Sequence, residues 1–453
     1  MPSVRNIIRQ IKIQKPHDCS FALPIDSTDS LLNQRYQISF RSFPVAPVNP
    51  EKITQRRVNR TIELTLMGMV LLNLNFLLHR LIKFSRISIK PAMQKLNIVY
   101  TCNIRQPGME DERYGEFESP ATIAAVATAL ERIGADVEVI DVGADIYHQL
   151  EKRKHQIDLV FNNAEGLDEK ELREAIVPFF CEHLGIPYTG SSPKTFINKM
   201  DKATAKRIVA SEGVPTAKFQ LMVPGDQLKD LTFPLMVKPY SEGTSIGISQ
   251  KSKVHNEAEL TAAIAAVYSQ CDQAALVEEF LPGTEYTIGL IGNYVLPILE
   301  INFANIPGHP QLRDPHVKHI ENPYISHLAW TDQAKSFAKL AIAAHEVLEA
   351  RDYNRMDFRM RDGQLYFLEA NVIPGIHPTD ADLTNMCRHV DIVHQDMVAL
   401  IVDRAVKRLA LRYPGRFHDK TQLLEDLADS AINKVEKAGF LTHQGRMYTL
   451  LGK

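Results

Sequence analysis

Two short stretches carry side chains whose chemistry outweighs their packing value. In "NRMDFRM" (354–360), Arg355 and Asp357 lie two residues apart, so on a strand they share a face. In "FLEANVIPG" (367–375), Glu369 and Asn371 do the same. Adjacent strands would then offer two carboxylates, one amide oxygen and one guanidinium. Hard oxygen ligands of that kind suit Mg2+, which usually keeps waters and bridges nucleotide phosphates. A neighbouring guanidinium suits charge that develops in a transition state. Any one of these residues would serve equally well in a salt bridge on a solvated face. All four together, downstream of a phosphate-type loop, favour the metal reading.

That loop is "VKPYSEGTSIGI" (237–248). Lys238 ends an apolar run, and a flexible segment rich in backbone N–H and hydroxyl donors follows. Such a loop suits a bound anion, most often a phosphate. It is not the P-loop string, in which the lysine follows the glycines. A hairpin tip has the same composition, so the rest of the chain decides its reading.

The elements that must position these residues alternate strand and helix. "LNIVYT" (96–101), "DVEVID" (136–141) and "IDLVFN" (157–162) read as buried strands. "SPATIAAVATALERIG" (119–134) reads as a helix capped by Ser119, opened by Pro120 and ended by Gly134. "PFFCEHLG" (178–185) is a short helix opened by Pro178. This order predicts a parallel α/β sheet with its ligand side beyond the strands' carboxyl ends, where Glu118 and "NNAEG" (162–166) fall. Further on the pattern changes to α+β. A helix over 198–213 precedes strands at 233–240 and 274–281, with a helix at 256–270 between them. A long helix at 331–350 leads into two strands joined at Asp362–Gly363, a hairpin signal. Asp357 and Glu369 must face one way to share a metal. Opposing them centres the turn on Gly363. That predicts a three-residue turn, or else a bulge that restores parity.

At this point the chain resembles the ATP-grasp ligases, and among them the D-alanine–D-alanine ligases. The resemblance rests on "VKPYSEGTSIGI", "EEFLPGTEYT", "RMDFRM…LEANVIPGIHP" and "GIPYTGSSPKTFINKMDK" (185–202), and it runs from about Met93 to about residue 405. It implies a pre-ATP-grasp α/β domain over 93–195, an ATP-grasp nucleotide-binding domain over 196–405 and a helical tail over 406–453. It implies that Lys202 and Lys238 contact ATP phosphates. The loop from Glu242 to Gly247 would close over them, with Glu242 and Gly243 on the nucleotide and Thr244 and Ser245 among the catalytic residues. Glu278 would accept from the adenine amino group. Glu279, Phe280 and Leu281 would line the base pocket, and Glu285 would bind the ribose. Asp357, Glu369 and Asn371 would hold two Mg2+ ions, or Mn2+ in their place. Arg355 would stabilise the tetrahedral centre, and Glu118 would take the first substrate's amino group.

The implied activity joins two amino acids or similar small molecules through an acyl phosphate. Small-molecule phosphorylation and nucleotide binding without catalysis are the alternatives. The substrate half departs from the family. The glycines and the "VSL" near Glu118 are absent, and Asn162 or Asn163 stands where a histidine is usual. The 302–324 loop has no clear counterpart of the family's Tyr-containing loop, with only Lys318 to substitute for its basic residue, and Asp380 replaces a hydroxyl.

Composition sets the outer limits. The chain has 453 residues, 45% apolar and 23% charged, as soluble globular proteins do. Its net charge of −2 divides unevenly, with 14 Lys and Arg against 5 Asp and Glu in residues 1–92, and 38 against 49 beyond. An acidic body argues against nucleic acid as a partner. Five scattered cysteines without CxxC spacing predict a reducing, cytoplasmic setting. His309, His316 and His319 match no metal-ligand spacing, and Trp330 and Cys181 read as packing residues.

Within the first 92 residues, "LTLMGMVLLNLNFLLH" (64–79) is apolar but short of the ~20 residues a membrane span needs. Three readings are open for the region around 62–84: a marginal anchor, a basic amphipathic helix on a membrane surface, or non-native sequence ahead of a start at Met93. The last is preferred, because globular patterning begins at once there. The amphipathic tail at 419–440 reads as a packing or oligomer helix, which leaves a homodimer open.

Overall fold

A computed structural model describes residues 95–438 apart from 110–113, 116, 168–171, 243–247, 304–311, 313–324 and 418–419. The extension over 1–92, the loop residues Gly243, Thr244 and Ser245, Lys318 and the three loop histidines therefore lie outside the described residues.

Strand β1 (Leu96–Cys102) is the centre of a three-stranded parallel sheet, flanked by β2 (Ala135–Asp141) and β3 (Leu159–Asn163). Helix α1 (Pro120–Arg132) makes the first crossover and α2 (Ile146–Arg153) the second. α1 begins where its cap dictates: the Ser119 hydroxyl accepts from the Thr122 N–H at 3.1 Å, and Pro120 follows. β1 is buried on both faces, so its residues divide between two cores. Ile98, Tyr100 and Cys102 join one and Val99 the other. Helix α3 (Ile176–Leu184) starts two residues ahead of Pro178, which sits in the first turn, where its missing N–H costs nothing.

The single helix expected over 198–213 is two helices, α4 (Pro193–Met200) and α5 (Lys202–Ser211). Asp201 breaks it. Its backbone is extended, and its carboxylate accepts from the Thr204 N–H at 2.9 Å, so capping outweighs the apolar period that runs across it.

An antiparallel sheet follows in the order β4 (Phe219–Met222), β7 (Ala275–Glu279), β5 (Leu235–Pro239), β6 (Lys253–Val254). Helix α6 (Glu257–Cys271) covers it through Leu260, Ile264 and Val267. A second antiparallel sheet runs β11 (Ile325–His327), β10 (Leu299–Ile301), β8 (Glu285–Ile291), β12 (Tyr353–Arg361), β13 (Gln364–Asn371), with β9 (Tyr294–Val295) on β8. Helices α5 and α7 (Asp332–Val347) pack on its apolar face, where Phe358 meets Phe367 edge-on with ring centroids 5.7 Å apart. Trp330 packs against that core, and Cys181 is fully buried.

The β12–β13 hairpin turns on two residues, not three. Asp362 and Gly363 both have positive φ, and Arg361 pairs with Gln364. A bulge then shifts the register. Phe358 pairs with Phe367 but Asp357 pairs with Glu369, leaving Leu368 as the extra residue. The expected three-residue turn is thus incorrect, and the bulge named beside it is what restores parity.

Helices α8 (Asp382–His389), α9 (His394–Ala410) and α10 (Gln422–Lys437) complete the chain. α10 buries Leu424, Ala428, Ala431 and Val435 in the core that also holds β1 and α9, so it is a packing helix of its own chain. Lys420 secures its start, with Nζ 2.8 Å from both Asp158 carboxylate oxygens. No described helix is long and apolar enough to cross a membrane. The four described cysteines are free.

Candidate active site

The two antiparallel sheets contribute to a cleft of about 770 Å3, its open mouth included. Its apolar part is a small cluster of Met236, Phe280 and Leu312 with Ile248 against it. Its polar part brings together Lys238, Glu278, Glu279, Glu285, Arg355, Asp357, Arg359 and Glu369. Residues separated by more than a hundred positions in sequence therefore line one space.

Three lysines and two glutamates organise its inner wall. Glu278 on β7 receives Lys238 Nζ at 2.7 Å on one oxygen and Lys206 Nζ at 2.9 Å on the other. Lys206 also donates to the Phe367 carbonyl at 3.1 Å. Burial disfavours the Glu278 carboxylate, but the two lysines outweigh it and hold its pKa down at about 2. Burial also opposes the Lys238 cation, yet Glu278 and Glu369 prevail and push its pKa up. For Lys206 and Lys202 burial wins, and both are lowered. Lys202 Nζ lies 3.5 Å from Glu369 and donates to the Glu242 carbonyl, while Glu242's carboxylate accepts from Gln273 at 2.8 Å.

The β12–β13 face carries the predicted quartet. Arg355 forks onto Asp357, with Nε 3.2 Å from one oxygen and NH2 3.0 Å from the other. Asn371 donates to Asp357 at 3.0 Å, which turns its own carbonyl oxygen away from that contact. The bulge keeps Glu369 opposite Asp357 and sets Leu368 beside it in the cleft. Two carboxylates and an amide oxygen on one face make a hard-donor set that fits a divalent cation. Among the described residues no group of three or more His, Cys, Asp or Glu converges in this way, so the set depends on Asn371.

Glu118 and Asn163 meet beyond the ends of the parallel sheet. Glu118 bridges to Ile104 just past β1, and Asn163 ends β3 and donates to Glu118 at 2.7 Å. Burial raises the Glu118 pKa against the hydrogen bonds from Asn163 and Thr122 and the charge of His377. Of the two candidates for the histidine's place, Asn163 is the one that reaches the acid. Asn162 instead accepts from Thr101 at 2.9 Å within the core.

Three cleft residues lie outside the expected set. Lys206 shares the buried face of α5 with Lys202, four residues away, a spacing the sequence displays. Arg359 continues the Arg355–Asp357 alternation on β12. Its Nε donates to the Gly283 carbonyl at 3.0 Å, and its guanidinium lies 5.2 Å from the Phe280 ring and 4.9 Å from Phe303. Asp382, at the start of α8, is 3.4 Å from Arg355 NH1. Asp380, expected near the second substrate, has a largely exposed side chain beside His377. Glu279 pairs with Arg361 at 2.8 Å at the edge of the cleft.

Such a cleft between two antiparallel sheets, beside a parallel α/β unit, defines an ATP-grasp protein. Comparison with known proteins narrows the class. The model for the D-ala D-ala ligase C-terminus matches residues 208–403. The D-alanine–D-alanine ligase of Pelotomaculum thermopropionicum is 30% identical over 289 residues, 60% of this chain and 87% of that one. Two solved structures share the fold. The Bacillus anthracis D-alanine–D-alanine ligase complexed with ATP has a TM-score of 0.50 at 19% identity, over 69% of this chain and 98% of that one. The VanG D-Ala:D-Ser ligase of Enterococcus faecalis has a TM-score of 0.54 at 20% identity, over 69% and 100%. The chain belongs to the D-alanine–D-alanine ligase family and is an ATP-dependent ligase of that type.

Proposed function

We propose that this ligase joins the carboxylate of one amino acid-like molecule to the amine of another through an acyl phosphate. The observation that carries this reading is the joint presentation of Lys238, Arg355, Asp357 and Glu369 to one cleft. Lys238 and Lys202 would hold the ATP phosphates, and Phe280 and Leu281 would flank the base with Glu285 at the ribose. Asp357, Glu369 and Asn371 would hold Mg2+, which when bound supplies charge neutralisation on the phosphates. Oriented this way, the first substrate's carboxylate oxygen attacks the γ-phosphorus, and ADP leaves. The second substrate's amine then attacks the acyl carbon, loses a proton and expels phosphate. Arg355 balances the negative charge that builds on the acyl oxygen in that step. Glu118 would anchor the first substrate's ammonium, oriented by Asn163.

The family's relatives act on D-alanine with D-alanine or D-serine, as their names state. For this chain the natural first test is phosphate release from ATP across pairs of D- and L-amino acids. Release that requires both a carboxylate and an amine, with a new dipeptide in the mass spectrum, is expected. Release with a single substrate and a phosphorylated product would overturn the ligation.

A further inference from the structure

Asp382 stands apart from the groups assigned so far. An acid in the first turn of a helix is commonplace, but this one is only 9% exposed, and it points at a guanidinium that already has a carboxylate. Arg355 divides its three nitrogens between two acids. Nε and NH2 take the two oxygens of Asp357 at 3.2 and 3.0 Å, and NH1 lies 3.4 Å from Asp382 Oδ2. Asp357 also accepts from Asn371. Both oxygens of the proposed metal ligand are therefore engaged by a cationic fork. A divalent cation on Asp357 would sit close to that fork, and like charges at such distances repel strongly.

We infer that Asp382 is the positioning residue that holds Arg355 when Asp357 turns from the guanidinium to the divalent cation. The inference rests on the metal reading proposed above and deepens it. Arg355 is then exchanged between two carboxylates on different elements, one on β12 and one on α8. The second keeps the guanidinium in the cleft while the first is released. Asp382 acts through Arg355 and is not itself a ligand.

The test follows Mn2+ binding to the full chain in the presence of β,γ-imido-ATP, by the electron paramagnetic resonance signal of free Mn2+. Asp382→Asn should weaken Mn2+ binding about tenfold, the scale of one charge-assisted contact. Asp382→Glu should restore it, with circular dichroism confirming that both variants fold. Removing the competitor settles the cause. Arg355→Met with Asp382→Asn should bind Mn2+ as tightly as Arg355→Met alone, because no guanidinium is left to compete. Unchanged binding in Asp382→Asn overturns this inference alone. A double variant that still binds weakly also overturns it and makes Asp382 a direct ligand. No Mn2+ binding by the unaltered chain overturns the metal assignment and this inference together.

Discussion

Asp357 and Glu369 face each other across the β12–β13 ladder although the turn that closes it has only two residues. The single extra residue, Leu368, reconciles the two facts. Were Leu368 paired instead of bulged, the unbroken ladder from that turn would oppose Glu369 to Met356 and bury the carboxylate in the core.

Deleting Leu368 should therefore leave a folded protein. The pairs on either side of the bulge would close up, with Glu369 still opposite Asp357 and alternation unbroken. What is lost is one apolar group in the cleft. ATP affinity should fall about fivefold to thirtyfold, in line with about 1–2 kcal/mol of lost apolar contact. Isothermal titration checks the affinity, and an insoluble product would refute the register argument.

Lys238→Ala should weaken ATP binding by about 1.5–3 kcal/mol, the value of a charge-assisted contact. It also leaves Glu278 with one lysine instead of two. A variant with wild-type ATP affinity would remove Lys238 from the phosphate site.

Glu278→Gln should destabilise the fold by about 3–5 kcal/mol, because two buried lysines lose their shared anion. Urea unfolding at neutral pH measures this. The carboxylate's pKa lies near 2 in the folded chain against an ordinary 4.5. Its stabilisation is thus complete above about pH 4.5 and is lost as pH falls towards 2. The unaltered protein should lose stability across that interval more steeply than Glu278→Gln.

His327 on β11 stacks on His389 of α8, their ring centroids 3.7 Å apart. Burial first, and then His389, hold the His327 pKa near 4, below its ordinary 6.5. A group whose cation is disfavoured by folding costs stability as it takes up a proton. Its neutral form supports the fold above pH 6.5, and that support drains away as pH falls from 6.5 towards 4. His327→Phe should flatten the melting temperature across that range; an unchanged slope would assign the loss to other groups.

Glu118→Gln should raise KM for the first amino acid at least about tenfold, as a lost ion pair with an ammonium would. KM for ATP should stay constant, since Glu118 lies by the parallel sheet and not among the cleft residues. Equal changes in both constants would place Glu118 in a structural role.

The face of β12 that carries Arg355 and Asp357 was legible from residue spacing, because strand alternation is a local property. Lys206 and Arg359 obeyed the same periodicities, at four residues on α5 and two on β12, and could have been read from them. Asp382 could not. Its partner lies 27 positions away on another element, and nothing in "TDADLTNM" distinguishes it from Asp380. The break at Asp201 was hidden for a different reason. Apolar periodicity continues across it, and only the cap's hydrogen bond tells two helices from one.

Leu96, near the beginning of the described chain, and Val435, near its end, belong to one core. The parallel sheet and α1, which lies over one of its faces, are made long before α9 and α10, whose side chains complete that core. Until then part of that core remains accessible to whatever binds exposed apolar surface. Synthesis of this protein therefore has a long vulnerable interval that ends only when α10 is free of the exit tunnel. A stop codon placed just ahead of residue 420 would prolong it indefinitely.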